Sequence, residues 1–466
     1  MFVHILARRS WRPAMLLTGA IVALIAVPAA SPSGLHSTQQ VTNVNCGPTG
    51  ATSATLQTAI DNAVSGDIIK IKGVCKGNYQ VNNNIALELQ GDPLVNGEPP
   101  TVLQGVGPWP SPTLDIEAGT VHVDRLKITG GPGGGVTLNS AKLLMTFSHV
   151  TGNGSRPYDY PFTGGGLFIS GAATLQHTTV DNNLAETGGG IYVDGGSKLT
   201  VEQASRVNSN QALDNTVSGG YGGGIYAAAG TAVNVSGSRV WSNTAAAGGG
   251  GVYSQGSVTL YYASVRTNTA YPEGGGVFND GGTLHVASTL VSGNSAGSAA
   301  GYCSLSAGGG MAPAPRGGGI ANEGGTVSIT SSLSATSRID GNESAVGGGI
   351  FSSTYSAPAK VAQTRGEIAH NTAVCGGGMY LWDPNGLDNV AAPLKNVGVH
   401  DNSASSLGGG IVATGSSSGT VMANLLGSSK VFSNSQGGVW CGALHNVWPV
   451  TAAHLSGNSP SNNTGC

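Results

Sequence analysis

Along most of the chain apolar residues alternate with polar ones, as in Lys198-Leu199-Thr200-Val201 and Ser257-Val258-Thr259-Leu260. A period of two belongs to strands that bury one face. Two recurring elements are superposed on it. The first is an aliphatic residue three positions before an asparagine: Val150 to Asn153, Val180 to Asn183, Val207 to Asn210, Val240 to Asn243, Val265 to Asn268, Val291 to Asn294, Ile339 to Asn342, Ile368 to Asn371, Val399 to Asn402, Val431 to Asn434 and Leu455 to Asn458. The second is a glycine block entering an aliphatic residue, from Gly166-Leu167 and Gly190-Ile191 through to Gly410-Ile411 and Gly438-Val439. The two alternate without exception, and successive glycine blocks lie 24 to 43 residues apart.

A unit of this size offers about three short strands: one after the glycines, one in the middle and one ending at the asparagine. It cannot bury its own face, so units must stack, each strand pairing with its counterpart one repeat away. The predicted fold is all-β: a single-stranded right-handed parallel β-helix of about 13 coils, ~60 Å long at ~4.8 Å per layer. In such a stack the asparagines are expected to adopt the left-handed turn conformation and bond amide to amide in a ladder. The glycines would supply positive φ and let neighbouring backbones approach.

The segment before the repeats is less regular. Leu56, Ala59, Ile60, Ala63 and Val64 share one helical face and predict a short amphipathic helix. It would cap the open end of the stacked strands, whose backbone is otherwise unpaired. Ile69 and Ile71 then alternate with Lys70 and Lys72, and runs at 85–89, 121–128 and 143–147 predict early, irregular coils. Arg8, Arg9 and Arg12 precede an apolar run over 14–27 that ends in small residues at Ala29 and Ala30, the pattern of an export signal. The expected organisation is a signal over 1–30, cap and early coils over 31–149, and regular coils over 150–466.

Composition narrows the function. Of 466 residues 77 are glycine and only 9% are charged, against about 25% in ordinary proteins. Removing the signal leaves 17 basic side chains against 23 acidic ones. No cationic surplus exists to neutralise phosphates, so nucleic acid is excluded as a partner. No later stretch of 18 apolar residues follows the signal, so no transmembrane segment is expected. The chain would be secreted or held at the cell surface. Six cysteines, Cys46, Cys75, Cys303, Cys375, Cys441 and Cys466, allow up to three disulfides in an exported protein. Their spacings match no zinc site. Cys46 with Cys75 and Cys441 with Cys466 are the simplest local pairs.

The helix, followed by Gly66-Asp67-Ile68-Ile69 and coil after coil, resembles the right-handed parallel β-helix of the pectin-lyase-like superfamily. The paired elements are also similar to the repeats of polymorphic outer-membrane proteins, which are surface adhesins. The present chain departs from these in having valine or isoleucine where phenylalanine precedes x-x-Asn, and no membrane barrel is expected after Cys466. For the pectin-lyase-like enzymes the resemblance implies a substrate groove walled by loops at the glycine corner.

Candidate chemistry concentrates at that corner. The residues directly after the glycine-block aliphatics are Phe168, Tyr192, Tyr226, Tyr253, Phe278, Ala321, Phe351, Tyr380, Val412 and Trp440. Two readings stay open. Alternation turns them outward as an aromatic strip on which successive sugars of a polysaccharide stack, or the rings shield the next coil and form a core stack. Long insertions at 154–163, 211–221 and 295–316 leave the same corner. The first carries a polar-aromatic tip with Tyr158, Asp159 and Tyr160.

Acid–base machinery is not expected. Asp181, Asp340 and Asp401 occupy equivalent positions coils apart, while Asp194 with Glu202 and Asp124, Arg125 with Lys127 read as solvated strand residues. The ten histidines show no triad or metal spacing. Arg206, Arg239, Arg338 and Lys430 form a broken basic row suited to an acidic glycan or to plain solvation. The glycine blocks precede strands and are no phosphate loop. No catalytic residue, cofactor or metal is expected. The favoured function is a non-catalytic surface or extracellular protein that binds a polysaccharide or cell-surface glycan. A polysaccharide lyase or glycoside hydrolase in the same groove, and a structural spacer, are the rivals.

Overall fold

The computed structural model describes residues 39–48, 54–154, 162–213, 219–297, 314–354, 357–384, 390–415, 421–436 and 438–441, with short pieces at 455–456, 458 and 463–464. The 1–30 segment and the tip bearing Tyr158, Asp159 and Tyr160 lie outside them.

Each coil contributes strands to parallel columns. The A column, entered from the glycines, runs from Tyr79–Val81 through Leu114–Ile116 and Ile191–Val193 to Val439–Cys441 and beyond. The B column begins with Val41–Asn45 and includes Asp67–Lys72 and Lys198–Glu202. The C column begins with Val74–Lys76 and includes Arg206–Asn208 and Lys430–Phe432. Every pairing between coils in these columns is parallel, and each column is fourteen strands tall among the described residues. The unit from Gln39 onward is thus a parallel β-helix, about 60 Å long at the usual strand spacing.

A fourth, D column was not legible in the sequence. Its strands are mostly two residues long, as at Leu184–Ala185 and Thr244–Ala245. Two residues are too few to show a period. Inward, the D column presents Ala212, Ala245 and Ala270, small enough to sit behind the asparagines.

The asparagine ladder is continuous. Each side-chain Nδ2 donates to the Oδ1 of the next asparagine, as from Asn210 to Asn243 and from Asn243 to Asn268, both at 3.0 Å, and the bonds run on from Asn153 to Asn458. The same Oδ1 also accepts the backbone N–H of the preceding coil's asparagine, and the second Nδ2 proton goes to a carbonyl such as Val207 O. One expectation is corrected. The left-handed residue is not the asparagine but the one before it: Asn182, Ser209, Ser242 and Thr267 have φ of 50–54°. That kink turns the asparagine inward, where its amide needs partners and finds them only above and below.

The glycine blocks do what was expected at two kinds of position. The first glycine takes positive φ, 65° at Gly188. The last is packed against the next coil: a Cβ on Gly190 would lie 2.6 Å from Gly224 O and 2.8 Å from the Asn210 amide nitrogen.

A second inward polar column sits two residues before the buried aliphatic of the C strand. Ser148, Thr178, Ser205 and Thr289 are buried there. The Thr178 hydroxyl donates to Met145 O at 3.2 Å, and the Thr178 N–H donates to the Ser205 hydroxyl at 3.1 Å. These residues tie the B–C corner as the asparagines tie the C–D corner.

At the N-terminal end the helix α1 spans Ala54–Asp61 and buries Leu56 and Ile60 in the main core. It stops before Val64, which is exposed, so the helical face is shorter than the periodicity implied. Cys46 and Cys75 are disulfide-bonded with their Cα atoms 5.1 Å apart, which clips the first coil to the second. Cys375 is also in a disulfide. Cys303 and Cys466, and the side chain of Cys441, lie outside the described residues.

Replacing Asn243 by alanine leaves three buried groups, the Asn210 N–H and amide nitrogen and Val207 O, without their partner. At about 1–3 kcal/mol each, the expected loss of stability is on the order of 4 kcal/mol. Asn243→Asp should cost a similar amount, since a carboxylate cannot donate to Asn268. Thermal unfolding followed by circular dichroism checks both, and a loss below about 1 kcal/mol would contradict the ladder's role.

Candidate functional site

The outer face of the A column carries two rows of side chains. The first runs Asp115, Thr137, Phe168, Tyr192, Tyr226, Tyr253, Phe278, Ala321, Phe351, Tyr380, Val412 and Trp440, one per coil in unbroken register. The second, two positions further along each strand, includes Glu117, Asn139, Asp194, Gln255, Asp280 and Glu323.

The two readings of the aromatic row divide it between them. Phe168, Tyr192 and Tyr226 are half-buried, whereas Tyr253, Phe278, Phe351 and Tyr380 are buried, as are Ala321 and Val412. The side chain of Trp440 lies outside the described residues. Burial comes from the corner loops. Tyr221, Gly248, Glu273, Arg316, Val346 and Cys375 form a chain of parallel bridges beside the row. From it Tyr221 leans on Tyr253 at 4.8 Å and the Arg316 guanidinium lies 5.3 Å from the Phe351 ring.

Ring orientation corrects the expected mode of sugar contact. Phe168, Tyr192 and Tyr226 stack face to face, 5.5 and 4.9 Å apart and within 4° of parallel, and Tyr226 continues onto Tyr253 at 4.8 Å. Coil spacing brings the faces against one another. What remains toward solvent is a row of ring edges and phenol oxygens.

Polar groups accompany the exposed part. Asn139 donates from Nδ2 to Asp115 Oδ1 at 3.3 Å and Glu117 Oε1 at 3.4 Å. Burial, reinforced by Glu117, pushes the Asp115 carboxyl up to about 6. Burial, with the neighbouring Tyr192 and Asp280, pushes the Tyr226 phenol up to about 12, so it stays a hydrogen-bond donor.

At the covered end lies a cluster that sequence reasoning missed. Arg316 pairs with Glu273 at 2.5 Å and Glu323 at 2.7 Å. Asp280 Oδ2 accepts from the Tyr253 hydroxyl at 2.5 Å and from Gln255 Nε2 at 3.0 Å. Two carboxylates share one guanidinium, and a third, Asp280, is held beside them by a phenol and an amide. Burial and then the Glu273 charge push Glu323 up to about 7, despite Arg316. Burial raises Glu273 as well, while Arg316 pulls it back. Only the row position of Asp280 and Glu323 hinted at this, since Glu273 and Arg316 come from loops 43 residues apart. The side chains of Glu273, Arg316 and Glu323 are only 11–13% exposed, so the cluster fastens the corner and offers little room to a substrate.

The remaining sequence candidates are scattered. Asp181, Asp340 and Asp401 each meet a histidine at 2.8 Å: His149, His370 and His400. Asp124 pairs with Arg125 at 2.8 Å, Glu202 accepts from Gln176 at 2.8 Å, and Lys127 stands in register with His149. Asp194 and Glu202 sit on different columns. Arg206 and Arg239 are adjacent in register, Arg338 pairs with Glu367 at 3.0 Å, and Lys430 stands beside Gly398. Among the described residues no group of three or more histidine, cysteine or carboxylate side chains is placed to hold a metal ion, and no helix is long and apolar enough to cross a membrane.

No family model and no curated protein matches the chain. Among solved structures it is similar to an alginate lyase from a Paenibacillus species, at 16% identity and a TM-score of 0.32 over 76% of this chain and 97% of that one. It is also similar to the pectin methylesterase of Aspergillus niger, at 13% and 0.31 over 55% and 84%. The Dettilon tailspike protein is a third, at 12% and 0.36 over 81% and 67%. The likeness is one of fold alone.

The raised Glu323 carboxyl gives a signed pH dependence. A folded-state value above the free one means that the folded chain holds the proton more tightly, so the stabilisation is full below about 4.5 and is lost as pH rises through about 7. Glu323→Gln keeps an oxygen for Arg316 and has no proton to lose. Its thermal midpoint should therefore fall less than that of wild type between pH 5 and pH 8, and parallel profiles would count against the assignment.

Proposed function

We propose that the protein is an exported, non-catalytic glycan-binding protein whose ligand lies along the A face between Asp115 and Tyr226. The observation that carries this reading is the exposed row of ring edges and phenol oxygens beside Asp115, Glu117, Asn139 and Asp194 on one strand face. Hydroxyls of a sugar chain need closely spaced donors and acceptors on an amphipathic surface, and this face supplies one set per coil. The rigid scaffold presents them without ordering cost.

Charge narrows the ligand. The exposed part of the face holds Asp115, Glu117 and Asp194 and no lysine or arginine among the described residues in its two rows. A uronate polymer would meet like charge there, which favours a neutral glycan or one bearing amino groups. The disulfide between Cys46 and Cys75 is in keeping with an oxidising compartment.

Affinity electrophoresis through gels containing xylan, β-glucan, chitosan, polygalacturonate or alginate tests the reading. Retardation is expected with the neutral or amino polymers, without release of new reducing ends, and any retardation by the two uronates should be indifferent to substitutions on the A face. Tyr192→Phe with Tyr226→Phe and Asp194→Asn should weaken retardation at least fivefold at an unchanged thermal midpoint. Cleavage of any polymer would establish the enzyme instead.

A further inference from the structure

The outer face of the C column carries a separate constellation. Its B–C corner turns through the left-handed region in successive coils: at Phe147 and His177, with φ of 47° and 49°, and at Gln203 and Ala204 together, with φ of 53° and 60°. Phe147 and His177 stack with centroids 4.7 Å apart and planes within 7°. The backbone N–H of His177 donates to Gln203 O, which sets His177 over Ala204 in the next coil. Ala204 carries only a methyl, so the imidazole face turned away from Phe147 is open.

Beside that face is a cavity of about 250 Å³ lined by Leu94, Glu98, His149, His177, Thr179 and Arg206 among others. Pockets for drug-sized ligands run to ~300–1,000 Å³, so this one suits a single ring. Arg206 stands in register beside Arg239, which leans on Trp241 at 5.5 Å. Neither arginine has an acidic partner among the described residues, and two neighbouring guanidiniums without a carboxylate favour an anion.

A strap formed by residues 91–100 roofs the cavity. Its tip turns at Asn96 and Gly97 and is closed by two backbone bonds between Val95 and Glu98, 2.9 and 3.0 Å long. Glu98 Oε2 lies 2.8 Å from His149 Nδ1, and Asp181 Oδ1 lies 2.8 Å from His149 Nε2. Two carboxylates on the two ring nitrogens require both to donate, which only the imidazolium does.

We infer that this cleft binds one anionic sugar ring, its carboxylate or phosphate held by Arg206 and Arg239 and its flat side laid on the open face of His177 beneath the 91–100 strap. The Thr179 hydroxyl is available to a ring oxygen. The imidazolium of His149 cancels charge on Glu98 from the strap and Asp181 from the next coil; Lys127 from the coil before and His177 and Arg206 alongside complete its ionisable surroundings. When His149 loses its proton, one carboxylate faces a lone pair, the strap tip is released, and negative charge appears beside the anion. Binding therefore weakens as pH rises. The site is independent of the acidic A face, on another column and of opposite preference.

Isothermal titration of the full chain at pH 6 with glucuronate, glucose 6-phosphate and glucose tests the inference. At least one anionic sugar should bind at least tenfold more tightly than glucose; preference for glucuronate identifies a uronate unit as the source, and preference for glucose 6-phosphate a sugar phosphate. Arg206→Gln with Arg239→Gln should lose at least tenfold, and His177→Ala several-fold, with circular dichroism unchanged because these side chains stand outside the core. Affinity should fall several-fold at pH 8.5. Absence of binding by both anions, undiminished binding by the double arginine variant, or an affinity indifferent to pH would overturn the inference.

Discussion

An amide that is buried at a corner and can reach only along the stack sets the terms for the whole molecule. Each ladder asparagine is satisfied only if the coils on either side present the same group at the same height. A slip of one residue in any coil would strand several buried donors and acceptors and turn every strand's apolar set outward. Register is therefore repeated from coil to coil, and whatever stands outward on one coil stands directly over its counterpart on the next. The stacked rings of Phe168, Tyr192 and Tyr226 and the paired guanidiniums of Arg206 and Arg239 are products of that alignment.

How much of this the sequence revealed follows from the range of each interaction. The ladder, the glycine corner and the three long strand columns were legible because each coil writes them again in its own few residues. The D column was not, since two residues show no period. The serine and threonine column was legible in principle, two positions before each buried aliphatic, but it is broken by Ala263, Gly366 and Val397 and has no single residue type to betray it. Ring burial was undecidable because it depends on which loop lies over which coil. The Glu273–Arg316 and Glu98–His149 contacts join residues 43 and 51 positions apart with no repeating signal.

Electrostatics separates the faces in a chain with few charges. Acids gather on the exposed A face and at its covered end, where one arginine holds two of them. Arginines without an acidic partner among the described residues, Arg206 and Arg239, stand beside the C column. With charged residues at 9% of the chain, each such grouping stands against a background of serine, threonine and glycine, so local sign is less blurred by neighbours than on an ordinary surface.

Every ladder bond also points the same way, from the nitrogen of one coil to the oxygen of the next, and its last acceptor at Asn153 is met by the Gly131 N–H. Length is consequently quantised. A genetic excision from one asparagine to the next, such as residues 211–243, returns Asn210 to a neighbour of the same kind at Asn268 and closes the arrow again, whereas a cut that takes only some of a coil's strands breaks it. Recombination between repeats thus has a built-in ruler, by which the reach of the binding faces can be reset without redesigning them.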